Sequence, residues 1–245
     1  MPILVAEDIS KNFGGVQALR GISFSLEENN VLGLIGPNGS GKTTLLNVIA
    51  GVYKPTAGKV FFAGKRIDGL PADSVSQIGV VKTHQIPKPF LDMSVEENVA
   101  TAVLFGVKRE RQVAKSLQHA DEVIELLEIA SRKYTLARNL TVQEKKRLEL
   151  ARAIATGAKV ILLDEVFSGL SEEELRGMIA NFKDVRKELG LTIIVVEHVL
   201  KAVMGLAERV MVLHEGIKLA DGEQKEVMKD AQVIQAYLGT DKLWA

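Results

Sequence analysis

The chain has 245 residues, with 31 basic and 31 acidic side chains, so no whole-molecule field draws it to nucleic acid or to an anionic lipid surface, and no nucleic-acid partner is expected. Its length suffices for one large α/β domain or for a core carrying a subdomain. There is no cysteine, which removes disulfide and thiol chemistry and fits a reducing compartment.

The opening MPILVAEDIS places acidic residues directly after an apolar run, unlike the basic-then-apolar order of a secretory signal. No apolar stretch approaches the roughly 18 residues that cross a bilayer, so any spanning must come from another chain. Residues 3–9 and 22–26, and Lys59 to Phe62, run apolar or alternate at strand length, and predict an N-terminal antiparallel sheet. Between the first two, residues 11–19 read as a loop with paired glycines. Phe13, in that loop, is either a ring on which a nucleotide base stacks, worth about 1–3 kcal/mol, or an ordinary sheet-edge aromatic.

Val31, Leu32, Leu34 and Ile35 form a short apolar run that breaks into Gly36-Pro37-Asn38-Gly39-Ser40-Gly41-Lys42-Thr43-Thr44 and resumes at helical spacing with Leu45, Leu46, Val48 and Ile49. Strand, glycine loop and helix are the context of a P-loop. The glycines let successive backbone N–H groups converge on phosphate oxygens, and the helix adds the positive end of its dipole. Lys42 is placed to reach the β- and γ-phosphates and the Thr43 hydroxyl to ligate magnesium.

Ile78 to Lys82 reads as a buried strand leading into Thr83-His84-Gln85, where Pro87 and Pro89 stop regular structure. Ser94 with Glu97 has the form of a capping box. Val113, Leu117, Ala120, Ile124 and Leu127 draw one helical stripe, and Leu148, Ala151 and Ala155 another, so residues 88–156 are expected to be an all-helical insert. Val160 to Leu163 then lead into Asp164 and Glu165. Carboxylates at the carboxyl end of a buried parallel strand sit where open α/β sheets bind ligands. Asp164 is a candidate to hold magnesium and Glu165 to activate a water. Residues 172–189 predict a charged amphipathic helix and residues 191–196 another central strand ending at Glu197-His198. His198 is either a γ-phosphate hydrogen-bond donor or a surface residue. Val210 to Leu213 and Gly216 to Gly222 read as a hairpin turning at Glu215-Gly216, and residues 224–238 as a helix. The fold class is thus α/β, a P-loop NTPase core with a mainly parallel sheet, an N-terminal antiparallel β subdomain and an inserted helical subdomain. No Asn-Lys-x-Asp segment is present, so a GTPase is not expected.

In this order the motifs resemble the ATP-binding subunit of an ABC transporter, and the resemblance covers nearly the whole chain. GPNGSGKTT resembles its P-loop, Phe13 its base-stacking aromatic, Gln85 its glutamine loop, ILLDE its second phosphate motif and His198 its switch histidine. KNFGGVQAL, KTHQIPKPF, KAVMGLAERVMVLHEG and IQAYLG resemble branched-chain amino-acid importer ATPases in particular. The resemblance implies residues 1–245 as one ATP-binding domain, with residues 1–87 and 157–245 as the ATP-binding core and 88–156 as the helical subdomain. It also implies hydrolysis of ATP with Mg2+, catalytic roles for Glu165 and His198, and metal contacts from Thr43, Gln85 and Asp164. The implied partners are transmembrane permease subunits and a second ATPase chain, a paralogue or another copy, in an ATP-sandwich dimer on the cytoplasmic face of the membrane. A soluble regulator or assembly factor built on the same clamp is the alternative reading.

The resemblance fails in one place. Where the family carries Leu-Ser-Gly-Gly-Gln, which clamps the γ-phosphate of the other subunit, this chain has Leu140-Thr141-Val142-Gln143-Glu144. Both glycines are replaced, and Thr141 with Glu144 forms a capping box that closes the helix end internally. The expectation is an asymmetric pair, in which this chain supplies a competent P-loop site and a poor signature. Val166 in place of proline and Ser171 in place of Asp or Asn are two smaller departures.

Overall fold

The computed structural model describes residues 2–238. In chain order the elements are β1 (Pro2–Phe13), β2 (Val16–Glu27), β3 (Val31–Ile35), α1 (Lys42–Ile49), β4 (Ala57–Phe62), β5 (Lys65–Arg66), α2 (Ala72–Ile78), β6 (Val80–Lys82), α3 (Val95–Phe105), α4 (Val113–Leu126), α5 (Val142–Ala155), β7 (Val160–Asp164), α6 (Glu172–Leu189), β8 (Thr192–Val196), α7 (Leu200–Leu206), β9 (Arg209–His214), β10 (Ile217–Glu223), α8 (Gln224–Val227) and α9 (Ala231–Leu238). The chain divides into two compact units, Met1–Ala72 with Thr192–Ala245, and Asp73–Leu191.

In the first unit β2, β1, β4 and β5 form an antiparallel sheet in that order. Ile22, Phe24 and Leu26 are buried at the period of two that gives a strand one wet and one dry face. The loop expected over residues 11–19 is instead a tight hairpin, because Gly14-Gly15 turns the chain in two residues and pairs Phe13 with Val16. Strand β3 runs parallel to β8 on one side and to β9 on the other. All five residues of β3 and of β8 are buried, the continuous apolar run of a sheet covered on both faces. The β9–β10 hairpin turns where expected, with Glu215 at φ 48° and Gly216 at φ 79°, the paired positive angles of a type I′ turn. The tail is two helices rather than one, since the Asp230 carboxylate accepts the Gln232 N–H at 2.7 Å and starts a new helix. Gly239 of IQAYLG lies outside the described residues.

The second unit pairs β6 with β7 in parallel. The strand expected from Ile78 begins only at Val80, because Ile78 is the last residue of α2 and the chain reverses at Gly79. From β6 to β7 every regular element is helical. Ser94 caps α3 through the expected box with Glu97. In the α4 stripe Ala120, Ile124 and Leu127 are buried while Val113 is exposed at the helix start. Helix α6 buries Leu175, Met178, Phe182 and Val185, with Phe182 6.0 Å from the Phe167 ring. Its acidic first turn and basic last turn match its dipole.

Gly33 lets α7 lie directly on β3, since a Cβ there would stand 2.4 Å from Val203 Cγ1 and 3.1 Å from Ala207 Cβ. We expect Gly33→Ala to lower the unfolding free energy by about 1–3 kcal/mol, the cost of overpacking, measured by urea denaturation.

Candidate functional site

Each unit carries some of the residues that the sequence singles out for phosphate chemistry. In the first, the P-loop leaves the carboxyl end of β3 and feeds α1. Gly36 has φ 153° and Gly41 φ 104°, angles costly for any residue with a Cβ. Space forbids one as well: a Cβ at Gly36 would lie 2.1 Å from the Leu213 carbonyl oxygen, and at Gly41 2.6 Å from that of Ala18. The β9–β10 turn braces the loop from behind, with the Gly216 N–H donating to Ser40 O at 3.1 Å and the Arg20 N–H to Gly216 O at 2.8 Å. Sequence reasoning missed these braces, because backbone groups of Ala18, Leu213 and Gly216 leave no motif.

Lys42 is buried, and its Nζ donates to the carbonyls of Gly36 at 2.7 Å and Pro37 at 2.9 Å. The loop thus curls round its own ammonium group. Ser40 is buried, and its Oγ has no hydrogen-bond partner among the described residues. A buried hydroxyl that lacks a partner costs about 1–3 kcal/mol, and a phosphate oxygen is the acceptor such a loop accommodates. Asn38, Gly39 and Thr43 are exposed and Pro37 and Thr44 half-buried. Because β8 runs parallel beside β3, exposed His198 leaves its strand at the same sheet edge as the P-loop. Phe13 ends β1, 43% exposed, its ring 5.2 Å from Tyr53 in an edge contact and 5.0 Å from Lys11 Nζ.

In the second unit β6 and β7 end side by side, which brings Gln85, Asp164 and Glu165 together. Asp164 is buried, and the Lys82 ammonium, 2.9 Å away, supplies the counter-charge that a buried carboxylate needs. Buried Thr83 ties the strand ends by receiving the Asp164 N–H on its Oγ1 at 3.1 Å. The Gln85 Nε2 donates to Glu165 Oε2 at 2.6 Å. Glu165 has φ 56°, a left-handed conformation costly for a non-glycine residue. One residue upstream of Gln85, burial pushes the His84 imidazole below its ordinary pKa, with the nearby Glu149 charge opposing the shift.

The Leu140–Glu144 segment is closed as its sequence predicts. Thr141 caps α5, receiving the Glu144 N–H at 3.3 Å, while Glu144 Oε2 receives the Thr141 N–H at 2.8 Å. Arg132 adds an ion pair to Glu144 at 2.5 Å. Burial raises the Glu144 pKa, but the Thr141 hydrogen bonds and Arg132 outweigh it, so the carboxyl stays below its ordinary value. Leu140 is buried, whereas Val142 and Gln143 are exposed at the helix end. Ser171 caps α6 in the same manner, receiving the Glu174 N–H at 3.3 Å, and Val166 is buried. Among the described residues no helix is long and apolar enough to cross a membrane.

The family model for the ABC transporter matches residues 19–168. The chain is 35% identical to the high-affinity branched-chain amino acid transport ATP-binding protein LivG of Salmonella typhimurium over 97% of this chain and 98% of that one. It is 34% identical to BraF of Pseudomonas aeruginosa, with the same function in its name, over 97% and 98%. A probable LivG of Archaeoglobus fulgidus is 33% identical over 98% and 96%. Among solved structures, the ADP conformation of an ATP-binding cassette of an ABC transporter superposes with a TM-score of 0.87 at 30% identity, over 98% of this chain and 99% of that one. None of these names favours a regulator or assembly factor.

We expect Thr141→Ala to destabilise the protein by about 1 kcal/mol, the worth of an N-cap, in urea melts. A group with a lowered folded pKa contributes stability above its unfolded value and loses it as pH falls through the folded one. The stability gap between the natural chain and Glu144→Gln is therefore present at neutral pH and closes below about pH 4.

The phosphate loop, the paired strand-end acids and the full-length relatives agree, and the chain belongs to the ABC transporter family as one of its ATP-hydrolysing subunits.

Proposed function

We propose that this subunit powers an importer of branched-chain or other amino acids, bound to the cytoplasmic face of the membrane through permease subunits. The names of relatives that match nearly end to end support the solute class. The observation that carries the catalytic reading is the Gln85 amide on the Glu165 carboxylate at 2.6 Å, beside buried Asp164.

The loop from Gly36 to Thr44 cradles the phosphates, Lys42 reaches the β- and γ-phosphoryl oxygens, and Phe13 stacks on the base. Thr43, and Asp164 with Gln85 in the other unit, offer oxygens of the kind that suits a hard cation such as Mg2+, which when bound would neutralise developing charge on the phosphates. Glu165 orients a water and takes its proton as the oxygen attacks the γ-phosphorus. The bond to the bridging oxygen breaks, leaving ADP and phosphate, and His198 donates a hydrogen bond to the departing phosphoryl group. Ordinary hydrogen bonding by Gln85 to Glu165 keeps that carboxylate aimed when no water is engaged.

Residues 88–156 are the helical subdomain in this reading, and the permease docks against it. A cleft of about 320 Å³ lined by Val81, His84, Phe90, Phe105, Glu149 and Arg152 supports that assignment. Phe90 and Phe105 are 47% and 74% exposed, with Ile86 and Leu91 in the same segment at 75% and 51%. Large apolar side chains left in water beside a cleft mark a surface that another chain covers.

The second ATPase subunit is a paralogue. The N-terminus of α5 is capped internally by Glu144, whose charge opposes a phosphate at the end the helix dipole would offer it. This chain therefore receives a working signature from its partner and returns a weak one.

Reconstituted in vesicles with its permease, the complex is expected to take up labelled leucine, isoleucine or valine on addition of ATP, and Lys42→Ala to cut uptake and hydrolysis about 100-fold or more. Uptake of none of these solutes by an active complex overturns the solute class. By light scattering, Glu165→Gln alone is expected to bind ATP yet stay monomeric. Adding Val142→Gly, Gln143→Gly and Glu144→Gln restores dimerisation, whereas an ATP-dependent dimer of the single variant refutes the asymmetry.

A further inference from the structure

Helix α5 sets Lys146, Glu149 and Arg152 three residues apart along one face, and each reaches a different stretch of backbone. Lys146 Nζ donates to the Ser168 carbonyl. Glu149 Oε1 accepts the His84 N–H at 3.1 Å, and its Oε2 accepts from Arg152 Nη1 at 3.1 Å. Arg152 Nη1 also donates to Lys88 O at 2.9 Å, and the guanidinium lies 5.2 Å from the Phe90 ring. The segment from His84 to Phe90 is thus fastened at both ends to one helix face. Asn98, fully buried, secures the far end again through the Phe90 N–H at 2.8 Å and O at 3.0 Å.

Glu149 stands out because its side chain is only 7% exposed. A buried carboxylate costs several kcal/mol to desolvate, and an apolar residue of that size packs a helix face without that cost. Its partners show what the charge does. One oxygen holds the peptide N–H directly before Gln85, and the other holds the arginine that anchors Lys88. Between the anchors Gln85 is exposed and extends to Glu165. A glutamine on a loop has three rotatable bonds, so its aim depends on how firmly the peptide before it is fixed.

We propose that Glu149 is a positioning residue for ATP hydrolysis: by holding the His84 N–H it fixes the direction in which Gln85 leaves β6, and so keeps the Gln85 amide on Glu165. The proposal rests on the reading of Gln85 and Glu165 given above. It also makes the cleft and the hydrolytic site share one carboxylate, since Glu149 lines the cleft.

The test is a double-mutant cycle on the reconstituted complex, with ATP turnover, ATP binding and thermal unfolding followed for each variant. Glu149→Leu is expected to lower kcat on the order of tenfold while KM for ATP stays within about twofold, and Glu149→Gln, which keeps one acceptor oxygen, to show an intermediate loss. In a Gln85→Ala background, Glu149→Leu is expected to add less than about a twofold further loss, because residues acting through one another are not additive. Full multiplication of the two effects, or an unchanged kcat in Glu149→Leu, overturns the proposal. An unchanged kcat in Gln85→Ala alone overturns the role given to Gln85, and the proposal with it. If Glu149→Leu fails to unfold cooperatively, the same cycle is run with Glu149→Gln, where non-additivity supports the proposal and additivity overturns it.

Discussion

The first unit depends on the absence of side chains where the P-loop meets the backbone behind it. Gly36 sits against Leu213 O and Gly41 against Ala18 O at separations that no Cβ tolerates. That contact fixes where the loop runs and where α1 begins, and lets Lys42 thread back onto the carbonyls of Gly36 and Pro37. The β9–β10 hairpin, distant in sequence, is part of the same construction, because its turn hydrogen-bonds Ser40 and Arg20. A loop shaped in this way holds its donors in place before any phosphate arrives, so little reorganisation is needed when charge develops.

The second unit solves a different problem, which is how to keep charged groups buried at the ends of β6 and β7. Asp164 is balanced by Lys82, Glu149 by Arg152 and a peptide N–H, and Lys146 by a carbonyl. Removing one member of such a pair leaves an uncompensated charge, so these residues constrain one another more than any apolar contact would. Helix α5 takes part in two of the three. The helix that begins at the altered signature is therefore the helix that secures the segment carrying Gln85.

The signature region shows how a local rule competes with a functional one. A helix N-terminus has N–H groups to satisfy, and they bind either a side chain of the same chain or a ligand. Thr141 and Glu144 satisfy two of them internally, and an ion pair with Arg132 holds the carboxylate in place. Ser171 and Ser94 start α6 and α3 by the same device. Three helix starts thus have one chemistry, and only the first lies where the family places a glycine-rich clamp.

Much of this was legible in the amino-acid order alone. The P-loop, the acids at the end of β7, the capping boxes of Ser94 with Glu97 and Thr141 with Glu144, and the turn at Glu215-Gly216 are local patterns, in which a few neighbouring residues decide their own conformation. The long N-terminal hairpin was misjudged because Gly14-Gly15 can end two strands as a loop or join them as a turn, and only pairing of Phe13 with Val16 chooses. The extent of the strand after Ile78 and the break at Asp230 were likewise set by partners outside the window that periodicity surveys. Glu149 gave no signal, since an acid at the middle of an amphipathic helix reads as a solvated position until burial is known. Sequence by itself determined the family and the residues to which chemistry is assigned, because side-chain type and spacing are written there. Tertiary structure decided which backbone groups those residues hold, because hydrogen bonds between residues far apart in the chain exist only once the strands and helices have packed.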